Sequence, residues 1–382
     1  MNCDHGQLFR RRSTFDTGTG SPGDGATPMP RFRYGQTLAL MLLMWVLVPQ
    51  ISRGTPSAEE TLRELDRYTL VRMTLNYLHH DQYDSVFALS RLLQQLRPDD
   101  PIGYFLEANA YHTRMRDYRV AMHIQEFDSL LNITLQKAEA ALRKSPDAEN
   151  YFIYGAASGY RSLHLFWLGK WIPAIKSALR GVSMMRRAVE LDSSFVDPLL
   201  GLGLYEYAKS KVLLGLLGGD VDEAIRKLRR VAREGAYLSV NARYSLVYVY
   251  FQEEEYDRAW EIHEGLFREF PQNPACLYDR ALLLEKLGRP EEALTVWQEL
   301  IARIEAHEPP GHGFLAECYY HVARYYQEHG EEELARENLI KAARHAWHYS
   351  PKTEVEGPYF SFKKIKSDIN HALHEWDLAV SR

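Results

Sequence analysis

Histidine is the residue type in this sequence best suited to bind a metal, because fifteen are present and several fall close together. A zinc site needs ligands at a defined spacing, such as the His-Glu-x-x-His pattern that puts two imidazoles on one helix face. That pattern does not occur, and no histidine pair has an acid in a recognisable ligand motif. We therefore predict neither a metal site nor a cofactor from the pairs His79 and His80, His307 and His312, and His345 and His348.

Two glycine-containing stretches have the composition of phosphate-binding loops, namely Gly201-Leu202-Gly203 and Leu217-Gly218-Gly219-Asp220. A phosphate cradle needs a preceding strand and either Gly-Lys-Ser/Thr or a third glycine, and neither stretch has them. Close helix packing explains the first stretch and a turn explains the second. No Ser or Cys lies in a nucleophile elbow, and the run Glu253-Glu254-Glu255 fits a solvated turn. The sequence therefore predicts no catalytic residue and no enzymatic activity.

The elements that carry these residues are predicted to be repeated helical hairpins of about 34 residues. One hairpin runs from Val240 to Asn273 and the next from Pro274 to His307, and their small anchor residues Ala259 and Ala293 are 34 positions apart. A degenerate unit from Tyr77 to Pro101 begins the series. Further hairpins lie between this first unit and Val240, and they are longer than the regular 34-residue unit. With these included, the sequence predicts about seven hairpins.

On these repeats, the chain from about Glu60 to Ser350 resembles the tetratricopeptide-repeat superfamily. Its stretch from Ala178 to Tyr207 is similar to the branch that includes tetratricopeptide proteins of the mitochondrial outer membrane. The resemblance implies an all-α fold, a right-handed α-solenoid of about seven hairpins over residues 60–350. We expect residues 358–382 to form an amphipathic helix that caps the last hairpin, with partner binding or membrane-surface contact as the alternatives.

The resemblance also implies a concave groove, lined by the first helix of each hairpin, that holds a peptide or partner protein without catalysing a reaction. The groove positions of this sequence are rich in aromatic and amide side chains and poor in Lys and Arg, which suits a segment held by stacking and hydrogen bonds. Many of the 24 tyrosines could instead pack between helices. The candidate groove residues are Phe105, Asn109, Phe152, Tyr160, Tyr207, Asn241, Tyr244, Tyr248, Phe251, Tyr278, Tyr320 and Arg324.

A second hypothesis is a small-molecule or lipid carrier. The longer central hairpins could enclose an apolar cavity around Leu213–Leu217, a stretch of four leucines and one glycine.

The first 54 residues differ in composition from the rest of the chain. Residues 1–30 are rich in Gly and Pro and are expected to be a disordered extension; the alternative is that translation starts at Met29, so that the first 28 residues are not translated. Residues 31–54 join a basic start to twelve apolar residues from Thr37 to Val48, the pattern of a signal peptide. We expect an exported, periplasmic protein. The alternative is that the segment is not cleaved and anchors the solenoid to the inner membrane. Any association with the membrane is expected to occur through this N-terminal apolar segment.

The net charge of the chain after residue 54 indicates which class of partner it can bind. Without the six basic and three acidic residues before Thr55, the net charge falls from −5 to −8, which argues against nucleic acid. A protein or peptide partner within a cell-envelope assembly is the expectation. Cys276 and Cys318 are too few for a disulfide scaffold and lie at equivalent places in adjacent repeats, so the sequence leaves open a bridge or two buried thiols.

Overall fold

The structure is a computed structural model, and it describes residues 65–211 and 218–376. The predicted N-terminal extension (1–30) and signal segment (31–54) lie outside these residues, as do Leu213–Leu217. The described chain forms α1 (Arg67–His79), α2 (Tyr83–Leu96), α3 (Ile102–Tyr118), α4 (Ile124–Lys144), α5 (Ala148–Trp167), α6 (Trp171–Leu191), α7 (Pro198–Lys211), α8 (Val221–Glu234), α9 (Ser239–Gln252), α10 (Tyr256–Glu269), α11 (Pro274–Lys286), α12 (Pro290–Glu305), α13 (His312–Glu328), α14 (Glu332–His348) and α15 (Phe362–Glu375).

The first fourteen helices pair into seven consecutive hairpins, from α1 with α2 to α13 with α14, and each hairpin packs against the next. The prediction of an all-α, right-handed solenoid of about seven hairpins with a C-terminal capping helix is confirmed. Longer helices occur in α3 to α6, with 17 to 21 residues, and in α13 and α14, with 17 each, against 13 to 16 in α9 to α12.

Side-chain caps set the first residue of several helices. Asp66, Asp147 and Asn273 each accept a hydrogen bond from the backbone N–H three residues ahead, before α1, α5 and α11 respectively. Each cap satisfies an N–H group that has no partner inside the helix. Pro274 fits as the first residue of α11 because that position needs no N–H donor.

Small residues allow the two helices of a hairpin to approach closely. The predicted anchors Ala259 and Ala293 are buried. A Cβ added at Gly203 in α7 would lie 3.2 Å from the carbonyl oxygen of Ala224 in α8, which is tighter than an ordinary contact. Gly203 therefore serves helix packing, as the sequence analysis predicts.

Asp197, just before α7, fixes the junction between the fourth and fifth hairpins. Its fully buried carboxylate accepts hydrogen bonds from the backbone N–H groups of Ala236, Tyr237 and Leu238, at 2.9, 2.9 and 2.7 Å. These three residues form the turn between α8 and α9. The carboxylate thus satisfies backbone donors that would otherwise be buried without a partner.

The early hairpins also contact the late ones, so the superhelix closes on itself. The side chain of Asn273 donates to the carbonyl oxygen of His79 at 3.3 Å, and Arg303 contacts the carboxylate of Asp81 at 3.4 Å. The ring of Tyr118 stacks on that of His307 with centroids 3.9 Å apart. These contacts join the ends of α1 and α3 to the start of α11 and the end of α12.

After α14 the chain crosses back to α3 through residues 349–361, which we name the return segment. The N–H of Ala121 donates to the carbonyl of Thr353 at 2.7 Å, and the N–H of Val355 donates to the carbonyl of Arg119 at 3.1 Å. The return segment leads into α15, which buries Phe362, Ile365 and Ile369. No helix in residues 65–211 and 218–376 is long and apolar enough to cross a membrane.

Candidate partner-binding cleft

A partly open cleft of about 190 Å³ lies where α7, α9, α11 and α13 face the end of α3 and the return segment. Its walls combine aromatic rings with ionisable side chains. The lining residues include Arg116, Asp117, Arg119, Leu204, Tyr244, Tyr248, Tyr278, Asp279, Phe314 and Tyr359.

Arg119 is the buried cation of this cleft. It follows α3 in a left-handed conformation, with φ of 54°, and its guanidinium pairs with the carboxylate of Glu317 in α13. The guanidinium carbon also lies 3.8 Å from the ring centroid of Phe314 and 4.4 Å from that of Tyr278. The hydroxyl of Tyr278 donates to the second oxygen of Glu317 at 2.6 Å. The Arg119 guanidinium is thus fixed in position by its ion pair with Glu317 and by cation–π contacts with two rings, and the Tyr278 hydroxyl fixes the Glu317 carboxylate in turn.

Two polar atoms among the lining residues have no hydrogen-bond partner in the described part of the chain, the Tyr244 hydroxyl and Nη2 of Arg119. Burial raises the pKa of Tyr244 well above its usual value, so the hydroxyl stays protonated and can donate. A buried polar group without a partner is costly, and both atoms can donate to a ligand. Both atoms are buried, and the Tyr244 hydroxyl also lies close to the Cys276 thiol, so a ligand oxygen reaches them only when the surrounding side chains move.

The carboxyl group of Asp279, which lines the cleft, has a pKa near neutral pH. Burial raises the pKa of its carboxyl from 3.8 to about 7, against the opposing effect of the Tyr359 hydroxyl, which donates to Oδ1 at 2.9 Å. The carboxyl therefore gains or loses its charge close to neutral pH.

Three of the predicted groove residues contact one residue of the return segment, and two more lie beside those three. The ring of Tyr359 contacts those of Tyr248, Phe251 and Tyr278, with centroids 5.5, 4.5 and 5.7 Å apart. Tyr248 in turn meets Tyr207 edge-on at 6.2 Å. Tyr244 lines the same cleft.

The other predicted groove residues lie elsewhere. The Tyr160 hydroxyl donates to the side chain of Asn109 at 2.6 Å, and its ring meets Phe105 edge-on. Phe152 is buried against Phe195. These residues pack between helices, the alternative that the sequence analysis leaves open for the tyrosines.

Three further predicted groove residues also lie apart from the cleft lining. Asn241 is one helical turn before Tyr244 in α9, and its side-chain oxygen has no partner among the described residues. Tyr320 is half-buried and Arg324 is exposed, on α13. Arg324 pairs with Glu328 within the same helix at 3.0 Å.

The sequence analysis missed the basic residues and the return segment. Arg116 and Arg119 line the cleft, although the groove positions are expected to be poor in Lys and Arg. Both lie at the end of α3, outside the positions that the repeat pattern assigns to the groove. Tyr359 comes from a segment that the repeat does not include, so no periodic signal points to it.

Histidines of two different sequence pairs lie close together, and the two cysteines are buried. His312 and His345 lie 3.0 Å apart through their Nδ1 atoms, and in the described ranges no group of three or more His, Cys, Asp or Glu side chains is placed to hold a metal. Cys276 and Cys318 are both buried free thiols rather than a bridge. Burial raises the pKa of Cys276 to about 12.

Comparison with known proteins gives one family model and several fold neighbours. The model, described as anaphase-promoting complex, cyclosome, subunit 3, matches residues 216–300, less than a quarter of the chain. No curated protein matches the chain. A crystal structure of the APC/C hetero-tetramer Cut9-Hcn1 aligns with a TM-score of 0.53 and 11% identity, over 84% of this chain and 53% of that chain. The present chain thus spans about half of that neighbour.

Two further neighbours are less similar in structure. YrrB, described as a TPR protein with an unusual peptide-binding site, aligns with a TM-score of 0.41 and 19% identity, over 63% of this chain and 98% of that one. A thermophilic TPR protein of Thermus thermophilus aligns with a TM-score of 0.37 and 17% identity, over 57% and 97%. The 34-residue repeat and the helical hairpins of the described residues are similar in fold to tetratricopeptide-repeat proteins, and membership of that superfamily is what the sequence resemblance implies. The similarity to the mitochondrial outer-membrane branch stays a prediction.

Proposed function

We propose that this protein is a non-enzymatic scaffold that binds a protein or peptide partner through the cleft on its concave face. The observation that carries the proposal is the return segment itself. This stretch, which turns at residues 351–353 and bends at 358–360, lies against the first helices of the fifth and sixth hairpins, and it is held by two backbone hydrogen bonds to the end of α3 and by Tyr359. The docking of this segment supports the proposal that the same face binds a polypeptide.

The unoccupied part of the cleft supports the same proposal. The Tyr244 hydroxyl and Nη2 of Arg119 are buried beside the cleft without an oxygen acceptor, so a partner that moves the surrounding side chains can accept hydrogen bonds from them, while Tyr248 and Leu204 offer apolar surface. Tyr, Trp and Arg are enriched among the residues that contribute most to affinity at protein interfaces. The tetratricopeptide fold is typical of protein-binding scaffolds.

The proposed location rests on the sequence alone. The basic and apolar pattern of residues 31–54 supports export, and the net charge of −8 after it disfavours nucleic acid. A cell-envelope assembly outside the cytoplasm is the location that we propose for the scaffold.

The carrier hypothesis has less support. A cleft of about 660 Å³ lies in the central hairpins, between α4, α5 and α6, but it is open and lined by charged side chains such as Asp128, Arg161 and Lys176. Such a lining does not favour an apolar ligand.

Recovery of partners from the envelope fraction tests the proposal. Tyr244→Phe removes only the unpartnered hydroxyl, Tyr248→Ala removes a ring of the cleft, and Tyr325→Phe on α13 is the matched control. We expect the first two variants to lose a partner that the wild type and the control retain. Equal recovery by all four proteins, or no recovered partner, would contradict the proposal.

A further inference from the structure

The hairpin of α5 and α6 exposes an unusual number of large apolar side chains. Trp171 and Ile172 at the start of α6 are 65% and 70% exposed, and Ile175 and Leu179 follow them on the same helix. Trp167 and Leu168 at the end of α5 complete what we name the tip surface. The corresponding turn of the fifth hairpin is Glu253-Glu254-Glu255, so apolar turns are not a requirement of the repeat. Exposed patches of this kind mark interaction surfaces.

The charge of this hairpin is opposite to that of the chain. From Asn150 to Val189 there is no Asp or Glu, while six Lys and Arg are present, in a protein whose net charge is −5. Lys170, Lys176 and Arg180 are exposed and lie beside the tip surface on α6 and at its N-cap. Arg161 of α5 faces the same cleft as these three, and the acidic residues facing it are Asp128 and Glu139 of α4.

The order of side chains around α6 indicates the kind of partner. At 100° per residue, Trp171, Ile175, Leu179 and Ile172 form one strip, and Lys176 and Arg180 form the adjacent one. An exposed apolar strip with Trp, next to a basic strip, is the pattern of helices that lie in the interface of an anionic bilayer. The basic residues supply charge complementarity to acidic lipid headgroups.

We propose that the tip surface docks peripherally onto an anionic lipid surface, with Trp171 and Ile172 inserted among the headgroups and Lys170, Lys176 and Arg180 held near their phosphates. This contact is separate from the partner-binding cleft and from the N-terminal apolar segment. The protein would thus meet the membrane in a fixed orientation through its third hairpin.

The test uses the full chain with an environment-sensitive fluorophore at Ile172→Cys, in a Cys3→Ser background. The remaining thiols, Cys276 and Cys318, are buried and react slowly. The control label is at Leu334→Cys, an exposed apolar position on α14. Since the fluorophore reports only its own surroundings, anchoring by residues 31–54 does not give a signal. We expect vesicles that contain phosphatidylglycerol to raise the emission at position 172, phosphatidylcholine vesicles to leave it unchanged, and neither to affect position 334.

Charge variants give the second readout. Replacing Lys170, Lys176 and Arg180 with Gln should raise the lipid concentration needed for the response at position 172 roughly a hundredfold. Each basic residue near an anionic surface contributes about fivefold to the binding constant, and three are removed. The matched control replaces the exposed Lys363, Lys364 and Lys366 of α15 with Gln and should change that lipid concentration little. Equal loss in both variants, no response to either vesicle, or a response at position 172 only to an added protein fraction would overturn the proposal.

Discussion

Replacement of Arg119 tests whether the superhelix is closed by its buried ion pair. Arg119 follows α3 and Glu317 lies in α13, 198 positions later, and their side chains are only 5% and 2% exposed. Arg119→Met keeps the length of the side chain but removes its charge. The Glu317 carboxylate then stays buried with the Tyr278 hydroxyl, 2.6 Å away, as its remaining donor.

The expected cost follows from that burial. Breaking a buried pair by removing one partner costs about 3–5 kcal/mol, because the other charge stays out of water without compensation. Arg324→Met is the matched control, since Arg324 pairs with Glu328 on the same helix and both are exposed. Exposed pairs of this kind contribute about 0.3–0.5 kcal/mol.

Urea unfolding of both variants measures the difference in the free energy of unfolding, from the midpoint and the slope. We expect Arg119→Met to lower the midpoint strongly and Arg324→Met to leave it nearly unchanged. The double variant Arg119→Met, Glu317→Gln should recover part of the loss, because Gln carries no charge into the interior. A loss of under about 1 kcal/mol in Arg119→Met, or no recovery in the double variant, would refute the role assigned to this pair.

Three further changes have defined outcomes. Asp197→Ala leaves three backbone N–H groups without their acceptor and should lower the free energy of unfolding by about 3 kcal/mol or more. The exposed N-cap variant Asp66→Ala should lower it by about 1 kcal/mol. Urea unfolding measures both losses, and equal losses would contradict the role of Asp197. Gly357→Val would put a Cβ 2.6 Å from the guanidinium carbon of Arg119, so amide exchange in the return segment should accelerate, and an unchanged exchange rate would show that the contact is not limiting. Asp279 has a pKa of about 7 in the folded state, above the ordinary 3.8, so the folded state holds the Asp279 proton more tightly than the unfolded state does, and the stability that this proton contributes is lost as pH rises from 3.8 to about 7. Asp279→Asn should therefore stabilise the protein at about pH 8 and much less at about pH 5. An effect of the substitution that does not depend on pH would contradict this assignment.

The hairpin fold could be predicted from the sequence because its signals are local. The 34-residue spacing of Ala259 and Ala293, and the caps such as Asn273, act within one or two helices. Gly203 could likewise be assigned to helix packing, since its contact with Ala224 lies within one hairpin.

The cleft could be predicted only in part, because several of its walls come from distant places in the chain. The repeat pattern assigns Tyr244, Tyr248 and Tyr278 to the first helices, and these do line the cleft. It contains no information on which hairpins meet across the superhelix. Arg119 and Tyr359 reach the cleft only through that closure, so their roles depend on contacts that sequence periodicity does not encode.

Cross-linking at the cleft tests the central claim most directly. A photoreactive residue at Leu204, which lines the cleft and is 38% exposed, is compared in cells with the same residue at Leu334, which is 37% exposed on α14. A scaffold that binds its partner in the cleft should give a defined adduct from position 204, none from position 334, and less adduct when Tyr244→Phe is added. Adducts of equal yield from both positions, or an adduct at 204 that is unaffected by Tyr244→Phe, would contradict the assignment of partner binding to this cleft.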